Sequence, residues 1–392
     1  MSIHSVQNEL FTMSEESRVV RLARQMIAAN SESPPGRERE VADVIIEHMD
    51  AYGISHTSIG PHERPNLVFS TGEDTRGRLV LHGHMDTVPV GGRSQWSVDP
   101  LAGSIVDGRL YGRGSCDMKG PLATLAETMI RYKEKDHRMP LLLLCTSDEE
   151  SGCSGAERVA DSGILAGVNY GVCAEPTGLE VLVGEKGMLW TKVVARGKAA
   201  HGSRPHEGVN AIQLCMRAVE QLLNHDYPYE ADELMGEMTT DVGMIKGGIK
   251  INVVPDCCEA YLDMRTVKGQ DLDSLILEMS GVLEEHKLSD RVKIEYIHGK
   301  AAVVTPKNAT IVDVAVDAVE RVTGQRPSIS AATFGTDCSV LQPRIGIQNV
   351  ICGPGSIEQA HQIDEFISIH QLEQAVDIYS IIADRFSSDE SS

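Results

Sequence analysis

The sequence is short of basic residues and lacks any long apolar run. Its 392 residues include 36 Lys and Arg against 57 Asp and Glu, which gives a formal net charge of -21 at pH 7. Nucleic acids and anionic membranes bind basic surfaces, so neither is expected as a partner. No window approaches the roughly 18 consecutive apolar residues of a membrane-spanning helix, so we expect no insertion into a bilayer.

An export signal and paired cysteines are also missing. Residues 1–20 have no basic start followed by an apolar stretch, so no secretory leader is expected. The nine cysteines are odd in number, and none are spaced C-x-x-C. We therefore expect reduced thiols, mostly buried as small apolar residues, in a cytoplasmic protein.

Several common catalytic motifs are absent or incomplete. The segment GRGSCD has only two of the three glycines of a dinucleotide-binding loop, and no G-x-S-x-G nucleophile elbow occurs. Neither HERPN nor HEGVN completes the H-E-x-x-H zinc motif. These absences leave the acids and imidazoles that end apolar runs as the candidates for chemistry.

The segment HGHMDTVP, residues 82–89, places His82, His84 and Asp86 at every second position after an apolar run. Alternate side chains on a strand point the same way, so these three are expected to share one face. Such a face is either a metal site or a polar edge exposed to water. This segment alone leaves both interpretations open.

The length and the hydrophobic pattern predict two domains. The apolar runs MPLLLLCT and YGVC are typical of strands buried on both faces, which indicates an α/β sheet covered by helices on both sides. Further along, two helical segments alternate with about four strands, as in a small α+β sandwich of ferredoxin-like type. We predict one α/β domain, residues 1–186 and 299–392, that is split by an inserted α+β domain, residues 187–298.

The two ends of the chain carry weaker patterns. An amphipathic helix is predicted from Thr12 to about Asn30, with Thr12 and Glu15 as its capping box. The Ser, Asp and Glu residues after Phe386 are expected to be disordered.

Ligands of open α/β sheets bind at the carboxyl ends of the strands, where side chains distant in sequence converge. Imidazoles with carboxylates and no thiolate suit zinc or a similar divalent ion in a catalytic site that keeps a position for water. Taken one at a time, each acid has the alternative of capping a helix. The candidates that end apolar runs are His84, Asp86, Asp117, residues 148–150, Glu175 and His361.

The order of the motifs is also that of a known family. GHMDTVP, DGRLYGRGSCDMKG, TSDEESG, CAEPTG, GKAAHGSRPHEGVNAI, NVVPD, DMRT and GPGSIEQAHQIDEF follow one another in this chain. From about residue 18 to 386 it resembles the dimetal peptidases and amidohydrolases, which include acetylornithine deacetylase, succinyl-diaminopimelate desuccinylase, aminoacylase and carboxypeptidase G. GPGSIEQAHQ and the block from DGRLYG to DMKG most resemble the acetylornithine deacetylase branch.

This resemblance implies a mixed-sheet catalytic domain that holds two zinc ions, with cobalt or manganese as possible substitutes. His84 and Glu175 match the ligands of one ion, and Glu150 and His361 match those of the other. Asp117 matches the carboxylate that bridges both ions. The inserted domain is implied to be a lid and a dimerisation domain.

Two acids beside the ligands also match family positions. Asp86 matches a carboxylate that orients the imidazole of His84, since a metal-bound histidine commonly donates its other N–H to such a partner. Glu149 matches the general base, next to the metal ligand Glu150. His82 matches no ligand and is expected to be a strand neighbour that faces solvent.

The remaining matches concern the substrate. His201 resembles the histidine that stabilises the oxyanion, which comes from the partner subunit in family dimers; the alternative is a turn residue that caps the following helix. Arg265 resembles the residue that pairs with a substrate carboxylate, for which a guanidinium is suited. Asn252, Gly335 and Thr336 match substrate-contacting positions more loosely, with structural roles as the alternative.

The function implied is metal-dependent hydrolysis of the amide bond of an N-acylated amino acid, as in acetylornithine deacetylase. Two cations that share a water lower its pKa, and Glu149 then takes its proton and delivers it to the leaving amine. The alternatives are a succinyl-diaminopimelate desuccinylase, a di- or tripeptide exopeptidase, and a catalytically dead binding protein. The expected partners are a small N-acyl amino acid or a short peptide and a second copy of the chain.

Overall fold

Helices and strands alternate along the chain in the computed structural model, which describes residues 16–73, 77–135 and 137–387. These residues separate into two compact units. The first runs up to residue 180 and adds 313–327 and the residues from 351 onward; the second consists of 181–312 and 328–350.

The first half of the chain up to residue 180 contains four helices and seven strands among its described residues. The helices are α1 (Arg18–Ala28), α2 (Glu38–Asp50), α3 (Lys119–Lys133) and α4 (Ser154–Ser162). The strands are β1 (Ser55–Ile59), β2 (Asn66–Ser70), β3 (Leu79–His84), β4 (Ser104–Val106), β5 (Arg109–Tyr111), β6 (Leu142–Thr146) and β7 (Tyr170–Cys173).

The rest of the described chain continues with β8 (Val181–Glu185), β9 (Gly187–Arg196), α5 (Ala211–Leu223), β10 (Thr239–Gly247), β11 (Cys257–Thr266), α6 (Leu272–Glu285), β12 (Val292–Lys300) and β13 (Val303–Val304). Then follow α7 (Thr310–Thr323), β14 (Ile329–Ala332), α8 (Cys338–Ile345), β15 (Gln348–Ile351), β16 (Phe366–Ser368) and α9 (Ile369–Arg385).

The main sheet of the first unit is mixed. Its strands lie in the order β1-β2-β6-β3-β7. β1, β2 and β6 pair antiparallel, whereas β3 is parallel to both β6 and β7. Every residue of β2, β3 and β6 is buried, as expected from their continuous apolar runs. The carboxyl ends of β6, β3 and β7 therefore lie side by side.

Helices and a small second sheet complete this unit. α3 packs against β3 and β6 and is flanked by α1 and α9, while α4 packs against β1 and β2. β4, β5 and β16 form a three-stranded antiparallel sheet in which Phe366 pairs with Tyr111. This pairing brings the residues after His361 next to the segment that leads to Asp117.

The second unit contains the predicted α+β part. β10-β11-β9-β12 form an antiparallel sheet, and α5 and α6 cover one face of it with a shared apolar core. Burial alternates along the whole of β11, which is the pattern of a sheet with one open face. In the same unit β8 pairs with β13 and β14. The predicted fold class, a mixed-sheet α/β protein with an α+β insertion, is confirmed.

The predicted boundaries at residues 186 and 298 lie close to the ends of this four-stranded sheet, not at the limits of the compact units. The three-part domain division stays a prediction. Among the described residues, no helix is both long and apolar enough to cross a membrane. The nine cysteines are free thiols, and eight of them are buried.

The first predicted helix is too long at both ends. Ser17 is extended, with φ -61° and ψ 149°, and occupies the N-cap position, so α1 begins only at Arg18. The helix ends at Ala28 because Ala29 is again extended. The predicted capping pair, Thr12 and Glu15, lies outside the described residues, as do residues 388–392 of the tail.

Candidate active site

Five predicted site residues of the first unit lie at the ends of three adjacent parallel strands. β3 ends at His84 with Asp86 just beyond it, Glu149 and Glu150 follow β6, and Glu175 follows β7. Since these strands run parallel, their carboxyl ends meet at one edge of the sheet. The sheet topology therefore brings these side chains together.

His84, Asp117 and Glu175 form the first cluster. One donor atom from each residue lies within 4.8 Å of the others. His84 Nε2 is 3.0 Å from Asp117 Oδ1 and 3.6 Å from Glu175 Oε1, and all three side chains are buried. An imidazole nitrogen with two carboxylate oxygens is a donor set for zinc or a similar divalent ion.

Asp117, Glu150 and His361 form a second cluster with the same 4.8 Å spacing of donor atoms. His361 Nε2 is 3.1 Å from Glu150 Oε2 and 3.4 Å from Asp117 Oδ2. Asp117 therefore belongs to both clusters, with Oδ1 in contact with His84 and Oδ2 near His361. A carboxylate in this position is suited to bridge two cations.

The electrostatics of the clusters also fit a bound cation. Burial disfavours the charged imidazole of His84, but Glu175, Asp117 and Asp86 outweigh this and raise its pKa well above the usual value. For Glu175 the largest effect is burial itself, which together with the negative charge of Asp117 raises its pKa well above the usual value. Closely spaced buried acids are unfavourable unless positive charge compensates them, and a divalent ion would supply that charge.

Asp86 is held differently from the sequence-based expectation. His84 Nδ1 donates to the main-chain oxygen of Asp86 at 2.9 Å, whereas its distance to the carboxylate Oδ1 is 3.7 Å. The carboxylate instead accepts the main-chain N–H groups of Glu149, at 3.2 Å, and Glu150, at 3.1 Å. Burial raises the pKa of Asp86 to about 7. Its side chain thus anchors the segment that carries both glutamates.

The two adjacent glutamates differ in their surroundings. Among the described residues Glu150 contributes a donor atom to a cluster, and Glu149 does not. Glu149 is half-buried, and Cys153 Sγ lies 3.5 Å from its Oε1. This difference supports the predicted division between a ligand and a base.

His82 is fully buried, so the expectation that it faces solvent is wrong; β3 is buried along its whole length.

An ion network next to Glu149, in which the acid Glu38 is buried and Arg64 is partly exposed, was not found from the sequence. Arg64 Nη2 lies 2.7 Å from Glu38 Oε1 and 2.6 Å from Asp148 Oδ1. Glu38 is fully buried and also accepts the main-chain N–H of Asp148 at 3.2 Å. Asp148 has a positive φ of 68°, so this network holds a strained residue directly before Glu149.

His201 and Asn252 lie together in the second unit. A β-bridge joins His201 to Val253, and the N–H of Gly202 donates to the carbonyl of Asn252 at 2.9 Å. Both side chains are exposed, and His201 Nδ1 is 2.8 Å from Ser203 Oγ. Their role in the chemistry stays a prediction.

Arg265 lies on β11, where it pairs with Asp263 through Nε at 3.2 Å and Nη2 at 2.9 Å. Thr336 is fully buried, and its hydroxyl and N–H donate to Glu185 at 2.7 and 3.1 Å. This burial favours the structural alternative for Thr336. The substrate contacts predicted for Arg265, Thr336 and Gly335 remain predictions.

Comparison with known proteins agrees with this geometry. Residues 80–385 match the model of "Peptidase family M20/M25/M40". The chain belongs to this family. It is 34% identical to the acetylornithine deacetylase of Edwardsiella ictaluri (strain 93-146), over 77% of this chain and 78% of that protein. It is 31% identical to a probable succinyl-diaminopimelate desuccinylase of Staphylococcus aureus (strain N315), over 94% of this chain and 97% of that protein.

The fold of this M20 family member also matches a solved structure. An M20 family metallo-carboxypeptidase from Sulfolobus solfataricus superposes with a TM-score of 0.81 at 19% identity, over 95% of this chain and 99% of that one. The family model and the two relatives confirm the family resemblance predicted from the motifs. The protein is a metallohydrolase that acts on amide bonds.

The network at Asp148 gives a stability prediction. Arg64→Met should lower the free energy of unfolding in urea by about 3–5 kcal/mol, because it leaves Glu38 buried without its counter-charge. The matched control is Arg39→Met. Among the described residues the ion-pair partner of Arg39 is the exposed Asp43, so its loss should cost less than about 1 kcal/mol. Equal losses in the two variants would contradict the role assigned to the buried network.

Proposed function

We propose that this enzyme is a dinuclear zinc deacylase that hydrolyses the amide bond of an N-acylated amino acid. The observation that carries the proposal is Asp117, whose two carboxylate oxygens belong to two different clusters of metal-binding donors. Two relatives at 34% and 31% identity carry the names of deacylases of this kind. The proposed metal ligands are His84, Asp117, Glu150, Glu175 and His361.

The chemistry divides between the ions and the protein. When bound, the two ions would lower the pKa of the attacking water and stabilise negative charge on the amide oxygen. Glu149 accepts the proton of that water, holds it on its carboxylate and delivers it to the leaving nitrogen. Asp86 fixes the main chain of Glu149, which limits how far the base moves between the two transfers.

The substrate roles are assigned to residues of the second unit. We infer that His201 donates a hydrogen bond to the oxyanion, since a preorganised donor there lowers the barrier. Arg265 is proposed to pair with the substrate carboxylate, for which its planar guanidinium is suited. Asn252 and Gly335 are kept as weaker substrate contacts.

Measured substrate preference tests the proposal against its alternatives. With zinc or cobalt, an N-acetyl amino acid should have a kcat/KM at least roughly 100-fold above that of any dipeptide or tripeptide, because the pocket then discriminates by the acyl group. The panel should include N-succinyl amino acids. Preference for a succinyl group would identify a desuccinylase, and preference for peptides would identify an exopeptidase and contradict the deacylase proposal.

The division of labour between the adjacent glutamates is separately testable. Glu149→Gln should reduce kcat by about a thousandfold or more while the metal content stays near two per chain, because the proton acceptor is lost and the ligands remain. Glu150→Gln should instead lose or weaken one metal, as measured by elemental analysis after dialysis. If both variants lose metal equally, the assignment of base and ligand is wrong.

We further propose that the enzyme works as a homodimer in the cytoplasm, through the inserted region. An apolar surface supports this: Met216 and Leu223 of α5 and Ile245 of β10 line one groove and are 60%, 44% and 52% exposed. A second copy of the chain would cover this surface and remove it from water. The nine free thiols, most of them buried, support the cytoplasmic location.

A mixed dimer tests whether His201 acts across this interface. His201→Ala and Glu149→Ala each inactivate a homodimer, but a mixed dimer keeps one site with both an intact base and a partner that supplies His201. Refolding the two together pairs about half of the chains in mixed dimers, so activity should return to roughly a quarter of wild type. Recovery near zero, with mixed dimers verified by mass, would mean that His201 does not act across the dimer.

A further inference from the structure

Glu365 is fully buried beside Asp117, and its carboxylate is surrounded by hydrogen-bond donors. Its Oε1 accepts the main-chain N–H groups of Cys116, at 2.8 Å, and Asp117, at 3.0 Å. Its Oε2 accepts the N–H of Gly114 at 3.1 Å and Nη1 of Arg113 at 2.6 Å. One side chain therefore fixes the main chain over the segment that ends at Asp117.

The four partners of Glu365 are all donors, so both of its oxygens must act as acceptors. A glutamine of the same shape would replace one oxygen by an NH2 group, and that group would face two donors. At least one buried N–H would then lose its acceptor. This position requires a carboxylate, whereas a residue that only fills space would tolerate the amide.

The same side chain also connects Asp117 with His361. Glu365 follows His361 by four residues, and its own carbonyl accepts the N–H of Gly112 at 3.0 Å, where β16 pairs with β5. Arg113, the ion-pair partner of Glu365, also donates to the main-chain oxygen of His361 at 3.5 Å. The Glu365–Arg113 pair thus joins the segment that carries Asp117 to the segment that carries His361.

We propose that Glu365 is a positioning residue that sets the separation between Asp117 Oδ2 and His361 Nε2, and so controls metal binding at the second cluster. The inference rests on the dinuclear function proposed above. The first cluster depends on it less, because His84 and Glu175 are positioned by β3 and β7. Loss of the carboxylate therefore weakens the second metal site more than the first.

Cobalt binding tests this, because it is measured without reference to activity. The metal is removed from wild type and Glu365→Gln with a chelator, and each protein is then titrated with Co(II). Binding is monitored by calorimetry and by visible absorption. The variant should bind the first equivalent nearly as wild type does, and the second about 10–100-fold more weakly, with an altered spectrum for that equivalent. Excess Co(II) should restore much of the lost activity, since the residue acts through the metal ligands.

Glu127→Gln is the matched control. Glu127 is also buried and paired with two arginines, Arg18 at 2.8 Å and Arg131 at 3.2 Å, but it lies on α3 and belongs to neither cluster. This variant should lose stability and keep both cobalt affinities. If Glu365→Gln also keeps both affinities and the wild-type spectrum, the proposal is overturned.

Two further outcomes are distinguishable. If wild type itself binds fewer than two Co(II), the dinuclear function fails, whatever the variant does. If Glu365→Gln does not fold, Arg113→Lys replaces it, because one ammonium can pair with Glu365 but does not also reach the carbonyl of His361. A weakened second equivalent supports the proposal, and wild-type binding of both equivalents overturns it.

Discussion

Repulsion between carboxylates at one edge of the first sheet is the constraint on which the site depends. Asp86, Asp117 and Glu175 are all buried there. Burial raises the pKa of Glu175 and of Asp86, and neighbouring carboxylates raise both further. Such a group of acids is stable only when main-chain N–H groups, cationic side chains or a metal ion compensate it. The topology that gathers the proposed ligands therefore also creates the need for a cation.

Hydrogen bonds from the main chain to buried acids hold the loops around the clusters in place. The N–H groups of Glu149 and Glu150 bind Asp86, and those of Cys116 and Asp117 bind Glu365. Each of these contacts uses a buried acid to hold the main chain next to a proposed ligand or base. The loops are thus preorganised by hydrogen bonds from their main chain. They therefore need little rearrangement when substrate and metal bind.

Local patterns were enough to predict the sheet and the acids and imidazoles that the fold brings together, because both are encoded in short segments. The continuous apolar run of β6 predicted a strand buried on both faces, and the acids that follow such runs predicted the cluster. The alternation that placed Asp86 on one strand face with His84 does not apply, because β3 ends at His84 and Asp86 lies beyond the strand. Glu38, Arg64 and Glu365 were missed since their partners lie far away in sequence.

The partners of the buried acids distinguish the acids that we propose to position the site from those that we propose to bind metal. Glu38 and Glu365 pair with guanidinium groups, which keep their protons and their charge at any physiological pH. Asp117 and Glu150 lie next to imidazoles, which lose a proton when they become metal ligands. An acid paired with arginine is therefore held in a permanent ion pair. Next to an acid paired with histidine, a metal ion can take the place of the proton on the imidazole. In the sequence the two kinds of acid look alike. They are distinguished only by the side chain that each one contacts in the folded structure.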